Sequence, residues 1–584
     1  MRHLKRLNKY FIQYKWHFLL GTLFTILSNY FGVQMPRYVQ ESIDELSASG
    51  FSNQLENALW LALRIGGLYL MLSIGKGFFL FLMRQTIIIM SRRIEYDLKN
   101  EVFKHYLTLD NAFYKKNRIG DLMNRISEDI SQVRMYLGPG VMYSINLIVL
   151  SVMSIYQMFK INSTLAFFAL LPLPLMSYLI YRVSNRINLS SKHVQEEQSN
   201  LTTIAQETFV NIRLIKAYNQ TESAQNKLKN AAETYKTKSM RLVLINALFM
   251  PTILLLIGAS TLLVIYVGAV LTENHQLSLG SIVAFLFYVN NLTWPFVSIG
   301  WVTSIIQRAE ASQQRINEFL SAEPEIVNPS LAPFEFKGNL RFEKVALTYE
   351  NTGIKALNEL SFEIKSGEQL GVLGKTGSGK SSIIAALARQ IDINGGTIYV
   401  EDQRLDKINL QDYRSKIALV PQDVFLFSDT IRNNVTFGCP EPIDDTTVIE
   451  ALKMAHVWHN IQEFPEGLDT VLGEIGVNLS GGQKQRISIA RALVRFPTLL
   501  ILDDCLSAVD TETEEVILNQ LKNLPFKPSV ITVSHRTSTL RNCDNILVLH
   551  EGQCVEYGNP EELMKRKGLY YDFVQQQNKE NSGV

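Results

Sequence analysis

Gly374-Lys375-Thr376-Gly377-Ser378-Gly379-Lys380-Ser381 decides how this chain is read. It fits the pattern G-x-x-x-x-G-K-[ST], a phosphate-binding loop. The apolar run Glu368–Leu373 predicts a strand before it, and Ser382–Arg389 predicts a helix after it. In that setting the glycines let backbone N–H groups curl around an anion without Cβ clashes. The helix N-terminus adds partial positive charge. Lys380 is expected to reach the β- and γ-phosphates of a nucleotide, and the Ser381 hydroxyl to ligate Mg²⁺. Gly374, Lys375, Thr376, Gly377, Ser378, Gly379 and Ser382 complete the expected nucleotide contacts of this loop.

The chain has 584 residues, enough for two or more domains, and its net charge of +2 gives no electrostatic case for a nucleic-acid partner. Cys439, Cys505, Cys543 and Cys554 all lie in the second half without metal-ligand spacing, so free thiols in a reducing compartment are expected.

The first half carries apolar stretches near residues 17–38, 58–83, 139–159, 164–182, 242–271 and 278–304. Each is close to or above the ~20 residues that cross a bilayer as a helix. The segment 39–57 has no Lys or Arg but carries Glu41, Asp44, Glu45 and Glu56. The long segments 84–138 and 183–241 are rich in basic residues, among them Arg92, Arg93, Lys115, Lys116, Arg118, Arg213 and Lys216. By the positive-inside rule the N-terminus, both long segments and the second half are cytoplasmic. The basic, aromatic start, with Lys5, Arg6, Lys9, Phe11, Tyr14 and Trp16, predicts an uncleaved helix lying on the inner membrane surface.

Ser91–Leu107 and Asp121–Tyr136 alternate apolar and charged residues at helical spacing, so the spans should continue into the cytoplasm. Helix breaks are expected at Asp110–Asp121 and near Glu207–Gln220, two inner turns suited to contact a soluble domain. Ser321–Asn339, with Pro324, Pro329 and Pro333, reads as a linker. The expected layout is a membrane domain over residues 1–318, a linker over 319–338, a nucleotide-binding domain over 339–577 and a flexible tail over 578–584. Its fold class is an all-α polytopic membrane domain followed by an α/β ATPase domain.

Within the second half, Tyr349 ends a strand and is placed to stack on an adenine ring. Gln422 follows the strand Ile417–Val420 and could reach Mg²⁺ and an attacking water. Leu479-Ser480-Gly481-Gly482-Gln483 opens a helix, a second anion-binding helix start. The apolar strand Thr498–Leu502 runs into Asp503 and Asp504, with Asp503 placed to hold Mg²⁺ through water. Ser507–Asp510 follows, and His535 ends a further strand where its imidazole can contact a γ-phosphate.

Over nearly its whole length the chain resembles an ABC transporter half-subunit of the exporter type. Gly374–Ser381 is similar to Walker A, Gln422 to the Q-loop, Leu479–Gln483 to the signature and Leu500–Asp503 to Walker B. Ser507–Asp510 is similar to the D-loop, His535 to the switch histidine and Gly473-Glu474-Ile475-Gly476 to the segment before the signature. The resemblance implies ATP and Mg²⁺ as cofactors and two chains face to face. Each ATP would be held between the Walker motifs of one chain and Ser480, Gly481, Gly482, Gln483 and Asp510 of the other.

One position departs from that pattern. The family usually has Glu after the Walker B Asp; here it is Asp504. With Gln422 and His535 it forms the expected catalytic set, but its carboxylate is one methylene short. The resemblance is therefore closest to one subunit of the bacterial heterodimeric multidrug exporters, in which one ATP site is degenerate. The implied function is export of a hydrophobic or amphipathic substrate across the bacterial cytoplasmic membrane. A homodimer with slow hydrolysis and an ATP-gated channel are the alternatives.

Overall fold

The computed structural model describes residues 3–48, 55–350, 352–473, 479–507 and 509–581. The described residues form two compact units. One comprises Met1–Thr108 and Asn117–Ala322; the other comprises Glu323–Val584 together with the short segment Leu109–Lys116.

The first unit contains six helical spans long and apolar enough to cross a membrane: Lys15–Ser47, Leu63–Tyr106, Ile119–Ile161, Ser163–Val210, Thr221–Glu273 and Leu279–Leu320. The helix Leu55–Tyr106 has 52 residues. At 1.5 Å per residue it is about 78 Å long, while a hydrocarbon core is about 30 Å thick. More than half of it therefore lies outside the hydrocarbon, as the apolar–charged alternation of Ser91–Leu107 predicts. The expected break near Glu207–Gln220 is a short exposed helix, Ile212–Ala217.

The helix expected over Asp121–Tyr136 is interrupted. Two π-turns, Arg125–Asp129 and Tyr136–Gly140, separate α-helical pieces. The second contains Pro139, which has no N–H to continue an α-helical ladder. The first contains Asp129, buried and paired with Arg315, whose Nε lies 2.9 Å from Oδ2. The start of the chain does form short helices, His3–Leu7 and Asn8–Gln13. They are fastened to other helices of the unit: Lys9 Nζ lies 2.6 Å from Glu101, and the Tyr14 hydroxyl 2.8 Å from Asp97. Ile12 and Trp16 remain exposed.

The second unit carries two sheets. An antiparallel sheet is built from β1 (Leu340–Tyr349), β2 (Ile354–Ile364), β4 (Gly395–Val400) and β5 (Gln403–Arg404), in the order β2-β1-β4-β5. The larger sheet contains β3 (Gln369–Gly374), β6 (Ile417–Val420), β7 (Leu499–Asp503), β8 (Ser529–Ser534), β9 (Asn545–His550) and β10 (Gln553–Gly558). Its order is β10-β9-β3-β8-β7-β6, parallel from β9 to β6, with β10 antiparallel at the edge. β3, β7 and β8 are buried along nearly their whole length, as central strands covered on both faces are, and β7 reads as an apolar run up to Asp503. The carboxyl ends of adjacent parallel strands are where such sheets bind ligands. Here those ends bring Gly374, Asp503 and Ser534 side by side.

The last membrane helix runs to Leu320 and the last helix of the chain, Leu569–Asn581, to Asn581. The proline-rich connector is not a plain spacer, because its backbone is hydrogen-bonded to side chains of its own unit.

Candidate functional site

The phosphate-binding loop joins β3 to the helix Lys380–Leu387. Gly379 caps that helix at φ +104°, where a Cβ would lie 2.4 Å from the Ala356 carbonyl oxygen. Only glycine fits there. At Gly374 a Cβ would lie 2.7 Å from the Leu549 carbonyl oxygen, so the loop starts hard against β9. The buried Ser378 hydroxyl has no hydrogen-bond partner among the described residues, leaving a donor available inside the loop.

A cleft of about 550 Å³ opens at this loop. Its lining brings together Tyr349, Thr376, Gly377, Gly379, Lys380, Ser381, Ser382, Gln422, Asp503, Asp504 and His535. Gly374, Lys375 and Ser378 shape the loop behind that lining. Ile354, Ala356 and Val533 also line the cleft, and none belongs to a sequence motif. Ile354 is reached because it pairs with Tyr349 across the β1–β2 hairpin. The Tyr349 hydroxyl lies 3.1 Å from the Ser382 hydroxyl.

Lys380 is folded back over its own loop, donating to the carbonyls of Gly374 at 2.7 Å and Lys375 at 2.9 Å. Burial pushes the Lys380 ammonium below the usual lysine range, against the pull of Asp504 and Asp503. The Asp503 carboxyl is shifted up by burial and by the neighbouring Asp504 charge, while Lys380 and a hydrogen bond from Ser381 oppose the shift. Ser381, Asp503 and Gln422 present a hydroxyl, a carboxylate and an amide on one cleft. Oxygen donors of this kind, with room for water, fit Mg²⁺.

Asp504 follows β7 with φ +45°, its backbone N–H donating to the Val533 carbonyl at 2.8 Å. The turn swings its carboxylate between two other candidates. His535 Nδ1 is 2.9 Å from Oδ1, and Gln422 Nε2 is 3.4 Å from Oδ2. His535 is held from behind by Gln577, whose Nε2 donates to the His535 carbonyl at 2.6 Å. That contact comes from the last helix and has no local sequence signal.

Ser480 caps the helix Gly481–Leu493 in a reciprocal box with Gln483, at 3.2 Å and 2.9 Å. Ser480 and Gly481 are exposed, and neither they nor Gly482 and Gln483 line the cleft. Asp510 likewise stands outside it, capping the helix Thr511–Lys522 by accepting from Thr513 N at 2.9 Å. Those bonds hold the Asp510 carboxyl below its ordinary range. Both groups are formed helix caps outside the cleft lining. Glu474, Ile475, Gly476 and Ala508 lie outside the described residues.

Residues 18–296 match the family described as ABC transporter transmembrane region, and residues 357–507 that described as ABC transporter. A probable multidrug resistance ABC transporter ATP-binding/permease protein of Bacillus subtilis is 33% identical over 577 residues, 98% of this chain and 97% of that one. The chain belongs to the ABC transporters. A multidrug resistance-like ATP-binding protein of Escherichia coli is 36% identical over 83% of this transporter and 82% of its own length. An ATP-dependent lipid A-core flippase of Shewanella oneidensis is 31% identical over 86% and 84%. In fold, the transporter matches a bacterial Atm1-family ABC exporter solved with ATP bound, with a TM-score of 0.79 and 23% identity, covering 96% of this chain and 99% of that one. This ABC transporter is thus an exporter-type half-transporter and an ATP-hydrolysing translocase, multi-pass in the inner membrane with its ATPase domain in the cytoplasm.

Proposed function

We propose that this chain exports a hydrophobic or amphipathic compound, drug- or lipid-like, as one half of a heterodimeric exporter. Its own Walker site binds ATP and turns it over slowly, while its signature completes the faster site of its partner. The observation that carries this reading is Asp504. A carboxylate set back by about 1.5 Å holds the attacking water poorly, and misplacement on that scale costs about 10²-fold in rate. The intact capping box at Ser480 supports the second half of the reading. The names of the multidrug and lipid-flippase relatives support the substrate class.

In this reading Tyr349 stacks on adenine, and Gly374, Lys375, Thr376, Gly377, Ser378, Gly379, Lys380, Ser381 and Ser382 hold the phosphates. Ser381, Asp503 and Gln422 would hold Mg²⁺, which would supply neutralisation of phosphate charge. Asp504 and His535 orient water and γ-phosphate. Ser480, Gly481, Gly482, Gln483 and Asp510 serve the neighbouring chain's nucleotide. A lone cleft leaves a γ-phosphate half solvated, without a second set of donors for the charge that develops there. A facing signature supplies them.

The test is ATP turnover by the purified chain alone and together with a second half-transporter that has Glu after its Walker B Asp. Slow turnover alone, restored by the companion and little altered by Asp504→Asn, is expected. Fast turnover alone, abolished by Asp504→Asn, supports the homodimer instead. That second reading draws on the contact between Asp504 and His535.

A further inference from the structure

The helix Lys380–Leu387 holds the phosphate loop at its N-terminus, and its other end is capped from one neighbouring helix, Leu410–Ser415. The buried Tyr413 hydroxyl donates to the Leu387 carbonyl at 3.1 Å. Arg414 donates through Nε to the Ala388 carbonyl at 3.2 Å and through Nη2 to the Arg389 carbonyl at 2.7 Å. These are carbonyls that a helix end leaves without intrahelical partners. The Walker A helix is therefore gripped at the end opposite its ligand.

The gripping helix is itself fastened to the connector. Asn328 accepts from Leu410 N at 2.8 Å and donates to Asn409 Oδ1 at 3.2 Å. Asp412 Oδ2 accepts from Phe334 N at 2.9 Å. The connector in turn is fastened to Asp110, whose carboxylate accepts from the backbone N–H of Glu325 and, at 3.3 Å, of Ile326. Asp110 belongs to the inner segment Leu109–Lys116 and lies only four residues past the end of the helix Leu55–Tyr106. Hydrogen bonds joined by short stretches of backbone thus lead from the first inner turn, through the connector and one short helix, to the Walker A helix.

We infer that this run transmits the position of the first inner turn to the nucleotide site, with Asp110, Asn328 and Arg414 as positioning residues for ATP turnover. None of the three lines the nucleotide cleft. They act on where Lys380 and Ser381 sit, and about 1 Å there is worth about 10²-fold in rate. Arg414 suits the task because its planar fork spans two carbonyls that a lysine ammonium cannot span in the same geometry. Burial lowers its affinity for its proton, and the Asp110 charge works against that, so the two ends of the run also share an electrostatic field.

The experiment is a double-mutant cycle on the full transporter in liposomes. Asp110→Ala, Arg414→Met and their combination are compared for ATPase Vmax, for KM, and for binding of a fluorescent ATP analogue. Each single change is expected to lower Vmax about fivefold with nucleotide affinity unchanged, a size typical of coupling networks. The combination is expected to be no slower than the worse single variant, because either change cuts the same run. Asn328→Ala and Arg414→Lys, milder substitutions, repeat the comparison if the larger ones fail to fold. Losses that multiply in the combination, losses matched by weaker analogue binding, or unchanged Vmax would each overturn the inference.

Discussion

His535 Nδ1 stands 2.9 Å from one carboxylate oxygen of Asp504 and 3.0 Å from the other. A carboxylate one methylene longer would have to carry this contact further into the cleft, toward Gln422. The short side chain therefore parks on the histidine, and lengthening it re-aims it. Asp504→Glu is expected to raise turnover at this chain's own site by about 10-fold to 100-fold. Single-turnover hydrolysis of labelled ATP by complexes whose other site is inactivated measures it. No gain would show that something other than carboxylate reach limits this site.

Ser480→Arg is expected to cut turnover of the assembled transporter by about 10²-fold while leaving ATP binding at this chain's own loop intact. The hydroxyl caps its own helix and is exposed, away from the cleft. Equilibrium binding of a fluorescent ATP analogue, measured beside ATPase rate, separates the two effects. Equal loss of both would count against a site shared between chains.

Gly379→Ala is expected to abolish ATP binding without preventing membrane insertion. Its Cβ would fall 2.4 Å from the Ala356 carbonyl oxygen, and the backbone there has φ +104°. The loop would have to shift to relieve a contact that backbone atoms cannot yield. Photoaffinity labelling of membranes with an azido-ATP reads the result.

Asp503 sets a pH dependence. Burial and the Asp504 charge raise its affinity for a proton. Without metal, this group favours the folded domain at pH below the ordinary aspartate range, and that contribution is lost as pH rises through its raised value. Metal binding needs the carboxylate, so the proton competes with Mg²⁺. The apparent Mg²⁺ affinity in the ATPase assay is expected to fall on acidification, starting at higher pH than an ordinary aspartate would give. Asp503→Asn should bind Mg²⁺ weakly at every pH; an unchanged acid limb in that variant would assign the effect to another group.

Next to His535, Arg536 bonds Glu514 at 3.2 Å and the Ser507 carbonyl at 3.1 Å. Glu514 is buried. Glu514→Ala strands a partly buried guanidinium and is expected to cost about 3 kcal/mol. A lower thermal midpoint of the ATPase-domain transition would register it; an unchanged midpoint would show that solvent already screens the pair.

The features that sequence revealed share one property: they are local. The run from Gln369 to Leu387 needs only a strand, a glycine loop and a helix in succession, so the pattern and its setting agree with the structure within two residues. The spans and their cytoplasmic extensions follow from apolar length and charge alternation in the same way. What stayed hidden depends on distant packing. Gly552 supports the loop by donating to the Ser378 carbonyl at 3.0 Å, yet lies in an ordinary turn between β9 and β10. The connector's prolines announce only that it is not helical. Its attachment to Asp110 joins residues 215 positions apart. The π-turn Arg125–Asp129 interrupts a helix that periodicity predicts to be continuous, and the Asp129 within it is buried against Arg315, a partner far along the chain.

The shared nucleotide site is tested most directly by a structure of the assembled transporter with ATP trapped. The Ser480 hydroxyl is expected within about 3 Å of the γ-phosphate held by the neighbouring chain's loop, a hydrogen-bond distance. A trapped assembly in which Ser480 stands more than about 10 Å from every triphosphate, beyond the reach of any hydrogen bond, would contradict it.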